Sequence, residues 1–257
     1  MASPSTASPP LVLLHAFPFD HRIFDGLGVP DSHPLPGQTF APDFRGFGEQ
    51  PLIHHDGRVP HPSLDVLADD VIDLLDSYGI DRAVVGGVSL GGYVVMNLLA
   101  RYPHRLAGLI LADTKADADT DEARQVRLDA AAAADSGDVR PAAAVVAGLV
   151  APGTAPDTAE LLALYAGSQS PAAIAWAQRA MADRPDSFEV LAGCRVPVLV
   201  VVGSQDQVTG LDRAEAMADA TPGSTLVVID GAGHLAAAEA PAAFAAAVTE
   251  WWSASGL

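Results

Sequence analysis

Ser89 is the residue of this chain whose surroundings most directly specify chemistry. It stands in Gly87-Val88-Ser89-Leu90-Gly91, a G-x-S-x-G pattern. The short apolar run Ala83-Val84-Val85 precedes it, and Val94, Val95, Leu98 and Leu99 recur at helical spacing after it, so the stretch reads as strand, sharp turn, helix. A serine at such a turn holds a strained backbone conformation and lifts its hydroxyl clear of the sheet, where it can act as a nucleophile. Side chains at the two flanking positions would collide with the strand and helix that the turn joins, which is why both are glycine. Phosphate binding is disfavoured, because no Lys-Ser/Thr pair follows the glycines and no G-x-G-x-x-G is present. A serine nucleophile needs a base, an acid to orient the base, and donors for an oxyanion, and the rest of the chain must supply them.

The other chemistry-bearing residues are less specific. His54, His55 and His61 lie on a Pro/Gly-rich stretch at a spacing with no tetrahedral template, so no metal centre is expected there. No cofactor is implied by any motif. Cys194 is the single cysteine, cannot form an internal disulfide, and precedes a core strand, where a buried structural thiol is the default. Fourteen Lys and Arg against 32 Asp and Glu give a net charge of −18. A nucleic-acid backbone or an anionic membrane surface would be repelled by that field. Residues 1–10 are rich in Ser, Pro and Ala without a basic start, and the run Leu11 to Leu14 is too short for a signal or membrane segment. A disordered tail on a cytoplasmic protein is expected.

The elements that must position Ser89 follow in order. Leu11 to Leu14 reads as a strand buried on both faces. A short helix around His21 to Leu27, a weak strand from Gln38 to Ala41 and a loop from Gln50 to Pro62 come next. Ser63 to Tyr78 is an amphipathic helix with Ser63 as its cap, Leu64, Leu67, Val71, Leu74 and Leu75 as its apolar stripe, and Asp69, Asp70, Asp73 and Asp76 as a solvated face. Gly79 ends it. After the Ser89 strand and helix, Leu106 to Leu111 is another buried strand. From Lys115 to Leu191 the pattern changes to Ala-rich helices broken at Ser136-Gly137, Ala151 to Pro156, Gly167 to Pro171 and Arg184-Pro185, with no strand pattern and no repeat. The sheet resumes at Val196 to Val202, and a helix from Leu211 to Ala220 and a strand from Thr225 to Ile229 follow.

These motifs resemble the α/β-hydrolase superfamily. A strand ending in His15-Ala16-Phe17-Pro18, some seventy residues before a G-x-S-x-G elbow, is similar to the superfamily's H-G-F-P loop, except that Ala16 replaces the usual glycine. The resemblance implies that the N–H groups of Phe17 and Leu90 form the oxyanion hole, while His15 holds its loop. Asp43 and Arg45, in Pro42-Asp-Phe-Arg-Gly-Phe-Gly48, fall on a structural loop of the family. The triad acid is placed by resemblance at Asp206, in Gly203-Ser-Gln-Asp, and the base at His234, in Gly231-Ala-Gly-His. The order Ser89, Asp206, His234 is the one this fold uses. Asp113 is a rival acid, since some members carry it after the strand that follows the elbow.

The expected architecture is α/β, a mostly parallel, doubly wound sheet of the α/β-hydrolase type of about six strands. Residues 11–114 and 192–257 form its core, and residues 115–191 form a helical cap inserted after the strand that follows the nucleophile helix. The cap's breaks and small residues predict a mobile lid. Of its bulky residues Tyr165, Ile174, Trp176, Met181 and Phe188, most serve helix-to-helix packing, and Trp176, Tyr165 and Met181 are candidates to line the substrate pocket. Its arginines form no dense run, so a strongly anionic substrate is not demanded. The Leu-Ala-Asp-Thr segment, the passage from Met181 to Ser187 and the short cap look most like small bacterial carboxylesterases and 3-oxoadipate enol-lactonases. The expected substrate is therefore a small ester or lactone, cleaved through an acyl-enzyme. The same triad also serves C–C bond hydrolysis and cofactor-free perhydrolysis, and the fold also hosts non-hydrolytic ligand binders.

Overall fold

The computed structural model describes residues 8–28, 35–54 and 56–257, apart from the side chains of residues 141–144. Residues 1–7 of the expected tail and His55 lie outside the described residues. Ser8 and Pro10 are already tied to the fold: Trp252 Nε1–H donates to Ser8 Oγ at 3.1 Å, and Val84 N–H to Pro10 O at 2.9 Å.

Six strands form one sheet: β1 (Leu11–Leu14), β2 (Thr39–Phe40), β3 (Ala83–Val88), β4 (Leu106–Ala112), β5 (Val198–Gly203) and β6 (Thr225–Ile229). Their order is β2-β1-β3-β4-β5-β6, and every pairing is parallel. The inner strands β1, β3, β4 and β5 are apolar and buried because helices cover both faces, while the edge strands β2 and β6 are partly exposed. Val12, Leu14, Val85, Leu109, Leu111, Val198, Val200 and Val202 belong to one core cluster, and the alternate residues Leu11, Leu13, Val84, Ile110, Leu199 and Val201 to the other. That alternation is the two-residue period of a strand. Each fully buried Leu or Val is worth about 2 kcal/mol of transfer free energy.

The helices of the first face are α1 (Leu64–Ser77), α2 (Leu90–Arg101) and α8 (Gly210–Ala220); α9 (Ala236–Glu239) and α10 (Pro241–Ser255) cover the second. Between β4 and β5 the chain is helical throughout: α3 (Asp121–Asp135), α4 (Arg140–Leu149), α5 (Pro156–Gly167), α6 (Pro171–Ala182) and α7 (Phe188–Ala192). Ser63 caps α1 by accepting from Asp65 N–H at 3.1 Å, and Gly79 (φ 65°) closes it. The acidic face of α1 meets solvent at Asp73 and Asp76 and is half-buried at Asp69 and Asp70, where it carries pairs that the sequence does not show. Asp69 binds Arg101 and Tyr102, Asp70 binds Arg45, Asp76 binds Arg105, and Asp65 accepts from Asn97. Only the tertiary fold brings these partners alongside, so the face combines solvent exposure with ion pairs. Among the described residues no helix is long and apolar enough to cross a membrane.

Candidate active site

The sheet order itself assembles the site. The strand sequence changes direction at β1, which has β2 on one side and β3 on the other, and in open α/β sheets ligands bind beyond the carboxyl ends of strands at such a switch point. Leu14 is in register with Gly87, so the loop His15–Phe17 leaves the sheet beside the Ser89 turn. At the other end Gly203 is in register with Ile229, which sets the loops carrying Asp206 and His234 side by side. Three loops widely separated in sequence therefore converge.

Ser89 has φ 52° and ψ −110°, the strained conformation expected of a serine on a sharp strand-to-helix turn. Its N–H donates to Ala112 O at 2.9 Å, and Thr114 Oγ1 donates to its carbonyl at 2.8 Å. The glycines explain themselves by contact. A Cβ on Gly87 would fall on the backbone of Gly91, and one on Gly91 would fall on Leu14 O. Ser89 is half-buried.

His234 Nε2 lies 2.9 Å from Ser89 Oγ, and His234 Nδ1 lies 2.9 Å from Asp206 Oδ2. His234 is 2% exposed and Asp206 6%, which keeps water from competing for these bonds. Asp206 Oδ1 accepts the N–H groups of Val208 (2.7 Å) and Thr209 (3.1 Å), and Oδ2 accepts Thr209 Oγ1–H at 2.5 Å. Burial pushes the Asp206 carboxyl upward, but the bonds from His234, Thr209 and Val208 outweigh it and hold the group at about 2. It is therefore a carboxylate at neutral pH. An ionised Asp206 can only accept, so Nδ1 carries the imidazole proton and Nε2 offers its lone pair to the Ser89 hydroxyl.

Asp113, the rival acid, is spent elsewhere. It is fully buried at φ 45°; Oδ1 accepts Gly203 N–H and Oδ2 accepts Ala236 N–H, both at 2.9 Å. Burial raises its carboxyl to about 7. It braces the β5 and α9 loops from below.

His15 is structural in the same sense. Its Nε2 accepts Phe44 N–H at 2.9 Å, which puts the ring proton on Nδ1, 3.0 Å from Ala16 O. Burial lowers its pKa to about 4, so it stays neutral. The loop it holds presents Phe17, whose peptide bond to Pro18 is cis. Neither Phe17 N–H nor Leu90 N–H has an acceptor among the described residues. Phe17 is partly buried, packing against the small cluster of Ala131, Ala134, Ile174 and Ala175 that α3 and α6 form, and its ring meets Phe47 edge-on at 6.2 Å.

The bulky residues of the inserted helices have other partners. Trp176 Nε1–H donates to Pro60 O at 2.8 Å and the ring is buried. Met181 Sδ is 3.4 Å from an Arg127 nitrogen, and Arg22 sits 4.3 Å over the Tyr165 ring. Asp20, His21 and Asp43 bring three potential metal-binding groups within 4.8 Å of one another. Protein donors occupy them: Arg22 and Gln169 on Asp20, His21 N–H, His21 Nδ1 and Glu49 N–H on Asp43. Asp43 and Arg45 thus lie in a braced loop, Arg45 being paired with Asp70.

A family model described as the alpha/beta hydrolase family matches residues 11–247. The chain belongs to the alpha/beta hydrolase family. This alpha/beta hydrolase is 32% identical over 191 residues to 3-oxoadipate enol-lactonase 2 of Acinetobacter baylyi, covering 72% of this chain and 69% of that protein. Among solved structures it is similar to a thermophilic esterase from Thermogutta terrifontis (TM-score 0.89, 32% identity, 98% of this chain and 92% of that one). The enol-lactonase from Burkholderia xenovorans LB400 shares the fold at 22% identity (TM-score 0.82, 98% and 94% covered).

Two contributors to the site of this hydrolase escaped the sequence reading. Thr209 gives Asp206 both its N–H and its hydroxyl, and the three-residue Asp-x-x-Thr spacing is the signal that could have found it. Glu239, the last residue of α9 and five residues after His234, binds the backbone on both sides of His234.

Proposed function

We infer that the protein hydrolyses small carboxylic esters or lactones, with Ser89 as nucleophile, His234 as general base and then acid, and Asp206 as the group that orients and stabilises the imidazolium. The observation that carries this reading is the continuous chain Ser89 Oγ, His234 Nε2, His234 Nδ1, Asp206 Oδ2, with both bonds at 2.9 Å. The enol-lactonase and esterase among its relatives support a carbonyl ester as the electrophile.

In this mechanism Nε2 takes the hydroxyl proton as Oγ attacks the carbonyl. The tetrahedral oxyanion lies between Phe17 N–H and Leu90 N–H, each such donor being worth about 3 kcal/mol of barrier. His234 returns the proton to the leaving alkoxide, the C–O bond breaks, and an acyl group remains on Ser89. Water, deprotonated by the same Nε2, then releases the acid. The pocket wall is assigned to the side where Phe17 packs against the cluster that α3 and α6 form, which makes the helices between β4 and β5 the cap; Trp176, Tyr165 and Met181 are kept as further pocket candidates. A cytoplasmic location belongs to the same proposal, fits the single buried Cys194, and is tested by cell fractionation. Turnover of p-nitrophenyl butyrate that is abolished in Ser89→Ala is the expected result, and a panel with an enol-lactone and a vinylogous diketone separates ester and lactone cleavage from C–C cleavage. A Ser89→Ala variant with full turnover would sink the reading.

A further inference from the structure

Glu239 ends α9, and its carboxylate gathers donors from two distant stretches of chain. Oε1 accepts the backbone N–H groups of Gly233 (3.1 Å) and Leu235 (3.0 Å), the residues on either side of His234, and Oε2 shares the Gly233 N–H at 3.1 Å. From the other side Oε2 accepts Ala151 N–H at 2.8 Å and Thr154 Oγ1–H at 2.5 Å. These come from the turn after α4, 85 and 88 residues away in sequence. The N–H of His234 itself donates to Leu149 O at 2.7 Å. Contact is close enough that a Cβ on Gly233 would lie 2.5 Å from Ala151 N and 2.7 Å from Leu149 O. Three consecutive N–H groups, 233 to 235, are thus held by one carboxylate and one carbonyl of the inserted helices.

The four groups that meet Glu239, the N–H groups of Gly233, Leu235 and Ala151 and the Thr154 hydroxyl, each point a donor at it. Only a group with two acceptor oxygens meets them all; an amide would turn its NH2 against N–H groups on one side. The imidazole has little freedom of its own, being bonded at both nitrogens, so the direction of its backbone decides whether Nε2 reaches Ser89.

We propose that Glu239 is a positioning residue for the base: it fixes the turn that carries His234 and fastens that turn to the Leu149–Thr154 stretch, so that a displacement of the inserted helices there displaces the base. The inference rests on reading His234 as the general base. Sub-ångström shifts matter at this distance, since a misplacement of about 1 Å costs on the order of 100-fold in rate.

The test uses the full chain with Glu239→Gln and Thr154→Val, each measured for thermal melting, for kcat and KM on p-nitrophenyl butyrate per folded molecule, and for hydrogen exchange in peptides covering 147–155 and 230–236. Glu239→Gln is expected to lower kcat about 10- to 100-fold with KM within about threefold, and to raise exchange in both peptides. Thr154→Val, which leaves the contacts to Gly233 and Leu235 intact, should also raise exchange in both peptides and lower kcat a few-fold. The proposal is overturned if Glu239→Gln lowers the melting temperature while kcat is unchanged, or if Thr154→Val loosens only 147–155. Should Glu239→Gln not fold, the Thr154→Val result alone decides. Should His234→Ala retain turnover, the base assignment falls and takes this inference with it; a silent Glu239→Gln beside a dead His234→Ala removes this inference alone.

Discussion

Asp206→Asn separates orientation of the base from everything else the site does, because the structure dictates which way the new amide must face. Oδ1 of Asp206 accepts two backbone N–H groups, from Val208 and Thr209. An Asn oxygen must take that place, so its NH2 occupies the position of Oδ2, against His234 Nδ1 and Thr209 Oγ1. Thr209 can rotate its hydroxyl and accept. His234 has to accept at Nδ1 as well, which moves the ring proton to Nε2, where it faces the Ser89 hydroxyl. The base is then in the wrong tautomer with its geometry nearly unchanged, a situation that lowers kcat by about 10⁴-fold in serine hydrolases. Asp113→Asn makes the control. Its φ of 45° suits Asn, and it loses one acceptor for Gly203 or Ala236, a stability loss of about 1–3 kcal/mol with turnover within about tenfold of the wild type. Initial rates on p-nitrophenyl butyrate, with melting curves for both variants, make the comparison. An Asp206→Asn enzyme within about tenfold of the wild type, or an Asp113→Asn enzyme slower than Asp206→Asn, would refute the acid assignment.

Other expectations can be checked on the same material. Thr209→Val removes the hydroxyl bond to Asp206 Oδ2 while its N–H bond stays; kcat should fall by about 10-fold with little change in KM, as steady-state kinetics will read. Acid should unfold the protein steeply: Asp20, Asp119 and Asp206 are each held at about 2 instead of 3.8, against burial and by their hydrogen-bond partners. Near pH 3 the unfolded chain binds more protons, so the stability these groups supply above pH 4 is lost as pH falls toward 2, by about 3 kcal/mol per pH unit. Urea titrations between pH 5 and 2.5 measure that slope, and a flat profile would contradict it. Hydrogen exchange should be faster in α4 and α5, where Val145, Leu161 and Leu164 are exposed, than in β3 and β4; equal protection would count against a moving lid.

What the sequence makes legible here are features whose cause is local. Gly87 and Gly91 are demanded by backbone contact at the Ser89 turn, Gly203 and Gly233 by the approach of the Asp206 and His234 loops to each other and to Leu149, and such contacts leave their mark at fixed spacings. Whereas the edge strands β2 and β6 are only partly buried, β1, β3, β4 and β5 were legible because strands buried on both faces are continuous apolar runs. The partners of the α1 aspartates were not, because Arg101 and Arg105 reach them across two helices. Nor was the packing of Phe17 against the α3 and α6 cluster, or the bond from Thr154 to Glu239, which joins residues that no spacing rule connects. Side-chain volume, which marks Trp176 and Tyr165 as pocket candidates, does not encode that the indole N–H of the first donates to Pro60 O or that Arg22 sits over the ring of the second.

The nucleophile is the claim on which the rest depends, and covalent labelling addresses it without knowledge of the natural substrate. A fluorophosphonate needs a hydroxyl that is deprotonated as it attacks and an oxyanion site to receive the charge. Intact-mass and peptide mass spectrometry of the treated native protein should show a single adduct on the peptide containing Ser89, with none in Ser89→Ala and slow labelling in His234→Ala. An adduct that persists in Ser89→Ala, or a native protein that stays unlabelled while folded, would contradict the account.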